Sequence, residues 1–210
     1  MWSRLSSKIK GSSPQEEFWS WFKKNENMLL NFEAERERVF DKLSVQLAKV
    51  DPDLTFEFGP PEERREFVIS AGGLKRAFPA VIALADAAPK LAAWRFTAFR
   101  PRRSADCTIK IGKRSVAPED VQFTLLDDGE KAGLYLFLPG FRDGDSTLGQ
   151  IGYLFLDGVL GEFDVEMRLG LIKMLPPEAV TQGDRYPLTE LPELFDALVE
   201  RLEGRSKLQS

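Results

Sequence analysis

Between Leu148 and Leu160 the only strongly polar side chains are Gln150, Tyr153 and Asp157, and this run restricts the fold more than any other. A helix that is apolar nearly all round must be covered on most sides, so the rest of the chain has to supply a surface that encloses it. Asp145 or Ser146 in "DGDSTLG" can cap its start. Gly149 and Gly152 would let its backbone come close to a sheet.

That sheet is legible as a series of short strands. "LTFEF" alternates, and "EFVISA" reads as its hairpin partner across a Gly-Pro-Pro and charged loop. "WRFTAFR", "CTIKIG", "VQFTLL" and "GLYLFLP" follow, parted by turns such as "DDGEK". Adjacent hairpins predict mostly antiparallel pairing. The Ala-rich stretch "GGLKRAFPAVIALADAAPK" is helical, with Pro79 starting or kinking it.

Helices bracket these strands. Ser13 can cap, Pro14 suits the first helical position and Glu16 completes a capping box, so "SSPQEEFWSWF" begins a helix with a heavy aromatic load. After the interruption "KKNEN", a second helix is expected to run to about Val50, with Phe32, Val39, Phe40, Leu43 and Leu47 as its stripe. "YPLTELPELFDALVERLEG" closes the chain as an amphipathic helix with Gly204 at its C-cap. The expected fold is α+β: an antiparallel-dominated sheet of about six to eight strands, helices packed mainly on one face, and an N-terminal helical pair. Residues 1–13 are expected as a tail, 14–204 as a single domain and 205–210 as a second tail. No internal repeat is evident in the sequence.

"LGEFDVEMRLGLIKML", residues 160–175, alternates Phe163, Val165, Met167 and Leu169 with Asp164, Glu166 and Arg168. This period of two predicts a long strand with a charged, wet face and an apolar face turned to the core. After Gly170 the alternation gives way to Leu171, Ile172, Met174 and Leu175 around Lys173, which calls for a bulge or a change of surroundings.

Chemistry is narrowed mainly by what is missing. Histidine is absent and Cys107 is the only cysteine, which removes the commonest general base, a Cys/His zinc cluster and any disulfide within one chain. No nucleophile elbow, Walker loop or dinucleotide-binding glycine pattern occurs. Cys107, in a strand-like run, reads as structural. No catalytic residue, metal site or cofactor is assigned.

With 29 basic and 33 acidic residues the formal charge is -4, so no global field attracts nucleic acid. "FRPRRS", with Arg100, Arg102 and Arg103, reads as a solvated basic turn. No apolar run reaches the roughly 20 residues that span a bilayer, and "MWSRLSSKIK" lacks a signal-peptide core, which predicts a cytoplasmic protein without stable membrane association. Trp2, Leu5 and Ile9 fall at helical spacing and read as a frayed terminus rather than as a membrane-surface or partner-binding helix.

Two groups of residues are candidates for binding. Asp157, Glu162, Asp164 and Glu166 form the densest acidic cluster, with Arg168 on the same row and Arg95 and Thr97 as expected neighbours across the sheet. Oxygen ligands of this kind suit hard cations and paired carboxylates can act as acid and base, but the spacing is not diagnostic of either. The turn "SAGGLKR" is a weaker anion site, in which Gly72 and Gly73 could aim amides at a phosphate beside Lys75 and Arg76.

"FWSWFKKNE", "REFVISAGG", "WRFTAFRPRR" and above all "LDGVLGEFDVEMRLG" resemble motifs of an uncharacterised family of small bacterial cytoplasmic proteins, over most of residues 15–204. The resemblance implies a single bacterial domain and carries no reaction, ligand or residue role. Taken together, these features favour a non-enzymatic module that binds another protein through a polar sheet face, as an adaptor or an immunity-type inhibitor. The alternative is a carboxylate-dependent, metal-assisted hydrolytic enzyme built on residues 157–166.

Overall fold

The capping box at Ser13 forms as the sequence requires. Its hydroxyl accepts the Glu16 N–H at 3.2 Å, and the Glu16 carboxylate accepts the Ser13 N–H at 2.9 Å. This starts α1 (Pro14–Lys24) in the computed structural model, which describes residues 11–209. Trp2, Leu5 and Ile9 lie outside the described residues. The contacts of the chain divide it into two units, meeting in sequence between Ala98 and Phe99.

In the first unit α1 is followed by α2 (Glu26–Leu30), a 3-10 turn at Phe32–Glu35 and α3 (Arg36–Leu47), so the expected second helix is broken in two. The strands β1 (Thr55–Phe58) and β2 (Arg65–Ser70) form the expected hairpin. Then α4 (Phe78–Asp86) crosses to β3 (Trp94–Ala98), which lies parallel to β2. A parallel connection needs a crossover of this length, and the Ala-rich helix supplies it.

Aromatic packing holds these elements together. Phe18, Trp19 and Phe22 fall on one face of α1 and are buried. Trp19 meets Phe96 at 4.5 Å between ring centroids, and Phe22 meets Trp94 at 5.0 Å and Phe67 at 5.2 Å, all edge-on. The Trp19 indole N–H donates to the Leu84 carbonyl of α4 at 2.8 Å, so one side chain ties α1 to both sheet and helix. Arg65, 4% exposed, donates to the Leu30 carbonyl at 3.0 Å, pairs with Glu33 and stacks over the Phe32 ring. Its guanidinium holds the Glu33 carboxyl below the usual carboxylate range.

The second unit contains a small hairpin, β4 (Ile109–Ile111) with β5 (Arg114–Val116), and a four-stranded sheet. In that sheet β6 (Gln122–Asp127) and β7 (Ala132–Phe137) form an antiparallel hairpin. Next, α5 (Ser146–Leu160) and α6 (Glu162–Arg168) lead to β8 (Leu169–Leu175), parallel to β7. Finally β9 (Tyr186–Pro187) pairs with β6, and α7 (Leu191–Gln209) follows. The core joins Phe123, Leu134 and Leu136 of the sheet to Ile151, Phe155 and Leu156 of α5 and to Phe195 and Leu198 of α7.

The fold is thus α+β with mostly antiparallel pairing, and several particulars differ from the sequence reading. The strands belong to sheets of three, two and four rather than one sheet, with parallel pairs at β2/β3 and β7/β8. Gly152 does bring α5 onto the sheet: a Cβ there would meet Met174 Sδ at 2.6 Å and Leu138 Cδ1 at 3.0 Å. Yet α5 is not covered all round, since Tyr153 and Leu154 are exposed. Gly204 does not stop α7, which continues to Gln209.

The largest difference is α6. Residues 162–168 are helical, and the inward positions are Glu162, Val165 and Leu169, spaced for a helix, while Phe163 and Met167 are exposed. Apolar residues at every second position therefore did not mark a strand. The strand begins at Leu169, close to where the alternation changes.

The two units repeat one topology that the sequence does not disclose. In each, an antiparallel hairpin is followed by a helical crossover to a third strand lying parallel to the hairpin's second strand. Phe22 is fully buried among Phe67, Trp94 and Phe96. Phe22→Ala is expected to cost about 3–5 kcal/mol, read as a lowered urea midpoint with an unchanged m-value.

Candidate functional site

Gly161 separates α5 from α6 with φ 80° and ψ 152°, a conformation that disfavours any other residue. A Cβ there would also lie 3.1 Å from the Arg100 carbonyl oxygen and 3.3 Å from the Arg102 nitrogen. The segment that opens the second unit therefore runs directly against the α5–α6 junction, and glycine is what permits the approach.

Around that glycine the two segments exchange bonds. The Glu162 N–H donates to the Arg100 carbonyl at 3.1 Å, and the Arg100 N–H donates to Glu162 Oε2 at 3.1 Å. The Arg100 guanidinium lies 3.7 Å from the same carboxylate and 3.7 Å from Asp157. Glu162 is completely buried. The Arg103 N–H donates to the Gly158 carbonyl at 2.6 Å.

Arg102 extends the network. Its Nε donates to the Leu160 carbonyl at 2.9 Å, satisfying an acceptor in the last turn of α5. Its two Nη groups hold Asp196 of α7 in a two-pronged pair at 2.8 Å each, and Nη2 also reaches Asp164 at 2.5 Å. Asp164 is shared with Arg168 at 3.2 Å, and Arg168 lies 3.4 Å from Glu203. Asp196, then Asp164, push the Arg102 guanidinium above its usual range, and Arg102 holds the Asp196 carboxyl below the usual one. Phe99 precedes the network at φ 64°, a strained value for an aromatic residue, with its buried ring 5.3 Å from that of Phe163.

Asp157, Glu162, Asp164 and Arg168 are brought together as side chains of two helices rather than along the expected wet face of a strand, with Glu166 half-buried on α6. Their arginine partners come from "FRPRRS", which reads in sequence as a solvated turn. Arg95 instead pairs with Glu66, its register partner on β2, at 3.2 Å, and Thr97 donates to the same carboxylate. The only sequence signal for the true pairing is that a carboxylate beside an obligatory glycine at a helix junction needs a counter-charge.

In the glycine turn, Gly72 and Gly73 have φ 58° and 79°, and the Gly72 N–H donates to Ser70 Oγ at 3.0 Å. Arg76 grips Asp53 through two bonds of 2.7 and 2.9 Å, and Lys75 lies in a 3-10 turn. An amide and a guanidinium expected to face a ligand are spent inside the protein. Cys107 sits exposed ahead of β4, not in a strand. Among the described residues no group of three or more Cys, Asp or Glu side chains could hold a metal ion.

Among the concave surfaces of this unit is one of about 350 Å³ between Leu126, Asp184 and Tyr186 and the Leu194, Leu198 and Arg201 side of α7. A cleft of about 760 Å³ is lined by Lys131, Met167, Arg168, Leu202, Glu203 and Arg205. A groove of about 280 Å³ lies over the sheet face turned away from α5, between Leu126, Tyr135, Lys173 and Leu175 on one side and Val180 and Thr181 on the other. These residues carry no motif, and the loss of alternation after Gly170 is the one sequence sign that this part of the chain meets different surroundings. No protein-family model, curated protein or solved structure matches the chain.

Two outcomes follow from the network. Gly161→Ala should lower stability by about 2 kcal/mol or more in denaturant melts, since it adds both strain and a backbone clash. Because Arg102 depresses the Asp196 pKa, that carboxylate stabilises the fold above its unfolded pKa near 3.8, and this contribution disappears as pH falls through the lower folded value. The difference in urea midpoint between the wild type and Asp196→Asn should accordingly be steady from neutral pH to about pH 5 and shrink below about pH 4.

Proposed function

We propose that the chain is a non-catalytic module that binds another protein, an adaptor or an immunity-type inhibitor acting in the cytoplasm without nucleic acid. Among the described residues no helix is long and apolar enough to cross a membrane. The acidic cluster is not the surface that supports this reading. Asp157, Glu162 and Asp164 are tied to Arg100, Arg102 and Arg168, and Arg102 also holds Asp196, so that α5, α6 and α7 are braced against the start of the unit.

The observation that carries the proposal is the sheet face opposite α5. Strand register sorts Phe123, Leu134, Leu136, Ile172 and Met174 to the helix-covered face, and Leu126, Tyr135, Lys173 and Leu175 to the other. Part of that second face is covered: Arg185 lies 3.8 Å over the Phe137 ring and donates to the carbonyls of Pro177 and Ala179, folding residues 176–185 across it. Beyond this loop the covering ends. Leu126, Tyr135 and Leu175 are half-buried, Leu171 is 41% exposed, and Val180 at the loop is 98% exposed. A contiguous row of half-wet apolar side chains is the kind of surface that a protein partner covers.

The test compares what the tagged wild type and the variant Leu171→Asp with Val180→Asp retain from lysate of the native cells. The variant is expected to melt within about 0.5 kcal/mol of the wild type, because both positions are exposed, and to lose the specific partner. Retention of every partner at full strength would defeat the assignment of this face. Loss only after Asp164→Asn with Glu166→Gln would move the interface to α6.

A further inference from the structure

We infer that the partner docks by adding an extended segment as a new strand alongside β8, with a carboxylate placed against Lys173. This inference rests on the protein-binding reading of the sheet face and specifies the form of what binds there. In the strand order β8-β7-β6-β9, β8 is an edge. The Leu138 N–H donates to the Leu175 carbonyl at 2.9 Å. In parallel pairing, alternate residues turn both amide groups to the same neighbour, so Lys173 and Leu175 address β7 while Ile172 and Met174 direct N–H and C=O outward. Such a row of open groups is a template for another strand.

The side chains suit an added strand on both faces. Ile172 and Met174 are only half-buried although they pack against the core, because among the described residues no strand lies beyond β8 to complete their cover. On the other face Leu171 and Leu175 flank Lys173, which is exposed and has no ion-pair partner among the described residues. At the start of the strand Gly170 leaves room for the Asp128 and Lys131 side chains, which a Cβ there would meet at 3.0 and 3.2 Å.

Lys173 decides the occupant. An unpaired cation in the middle of an edge disfavours pairing of β8 with itself in the register that sets lysine against lysine, and favours a strand with a carboxylate at that position. The segment that fits is extended and alternating, with an acidic residue between apolar ones.

The test uses the full chain, labelled for amide hydrogen exchange, and a capped seven-residue peptide of alternating valine and threonine with glutamate at its centre. In the free protein the Ile172 and Met174 amides should exchange quickly, and saturating peptide should slow them by about tenfold or more. Replacing the central glutamate by lysine should weaken binding about tenfold, and Lys173→Glu, at an exposed position, should reverse that preference. If the peptide perturbs Leu171 and Val180 but leaves the two amides unprotected, strand addition is wrong while the sheet face still binds. Absence of binding by the glutamate peptide, or equal affinity for both peptides, overturns the inference. Protection that grows with protein concentration without peptide, accompanied by a dimer mass, assigns the edge to a second copy of the chain and overturns it too. None of these results depends on the partner capture that tests the face itself.

Discussion

A carboxylate as deeply buried as Glu162 must be met by donors and positive charge, or its desolvation would exceed what a fold of this size can tolerate. Arg100 meets it twice, through its backbone N–H and its guanidinium, while the Glu162 N–H returns a bond to the Arg100 carbonyl. That exchange is possible only because Gly161 leaves room for the Arg100–Arg102 backbone. The junction then sets where α5 ends, which way α6 leaves, and where β8 joins the sheet. Arg102 carries the constraint onward to α7 through Asp196.

The two units apply different interactions to the same strand and crossover arrangement. The first is held by edge-on rings, with α1 and the sheet contributing interlocking aromatics and the buried Arg65 binding the 3-10 turn. The second has a mainly aliphatic core, with Phe123, Phe155 and Phe195 among the leucines and valines, and a network of charged groups at the α5–α6 junction. Buried ion pairs contribute little net stability when compared with well-packed apolar groups, but removing one partner is costly. The network is accordingly best understood as fixing geometry.

That geometry has a consequence for recognition. The helices of the second unit cover one face of its sheet, and the loop held by Arg185 covers only part of the other. What stays uncovered lies next to the edge strand, so apolar side chains and Lys173, which has no ion-pair partner among the described residues, are brought together on β8. Asp157, Glu162 and Asp164, which draw attention in the sequence, are paired with arginines, and a plain stretch of leucines beside a lysine is left half-exposed at the sheet edge.

Sequence alone determined whatever depends on neighbours a few residues apart. The Ser13 capping box, the β1–β2 and β6–β7 hairpins, the Ala-rich crossover helix and the close approach at Gly152 are all legible, because cap, turn and close packing are set by local residue types. The density of carboxylates at Asp157, Glu162, Asp164 and Glu166 is visible in the sequence, but their expected place on a wet strand face is not what forms. The tertiary structure decided the rest. Residues 162–168 satisfy a period of two in their apolar residues, but as a helix they turn Glu162 inward with Val165 and Leu169, an arrangement stable only because Arg100, 62 residues away, supplies the donor. Arg102 and Asp196 meet across 94 residues, and the open edge at β8 exists only once three other strands have taken their places. Pairings between such distant residues leave no mark on local periodicity, since the free energy that selects them arises only when the segments are packed together.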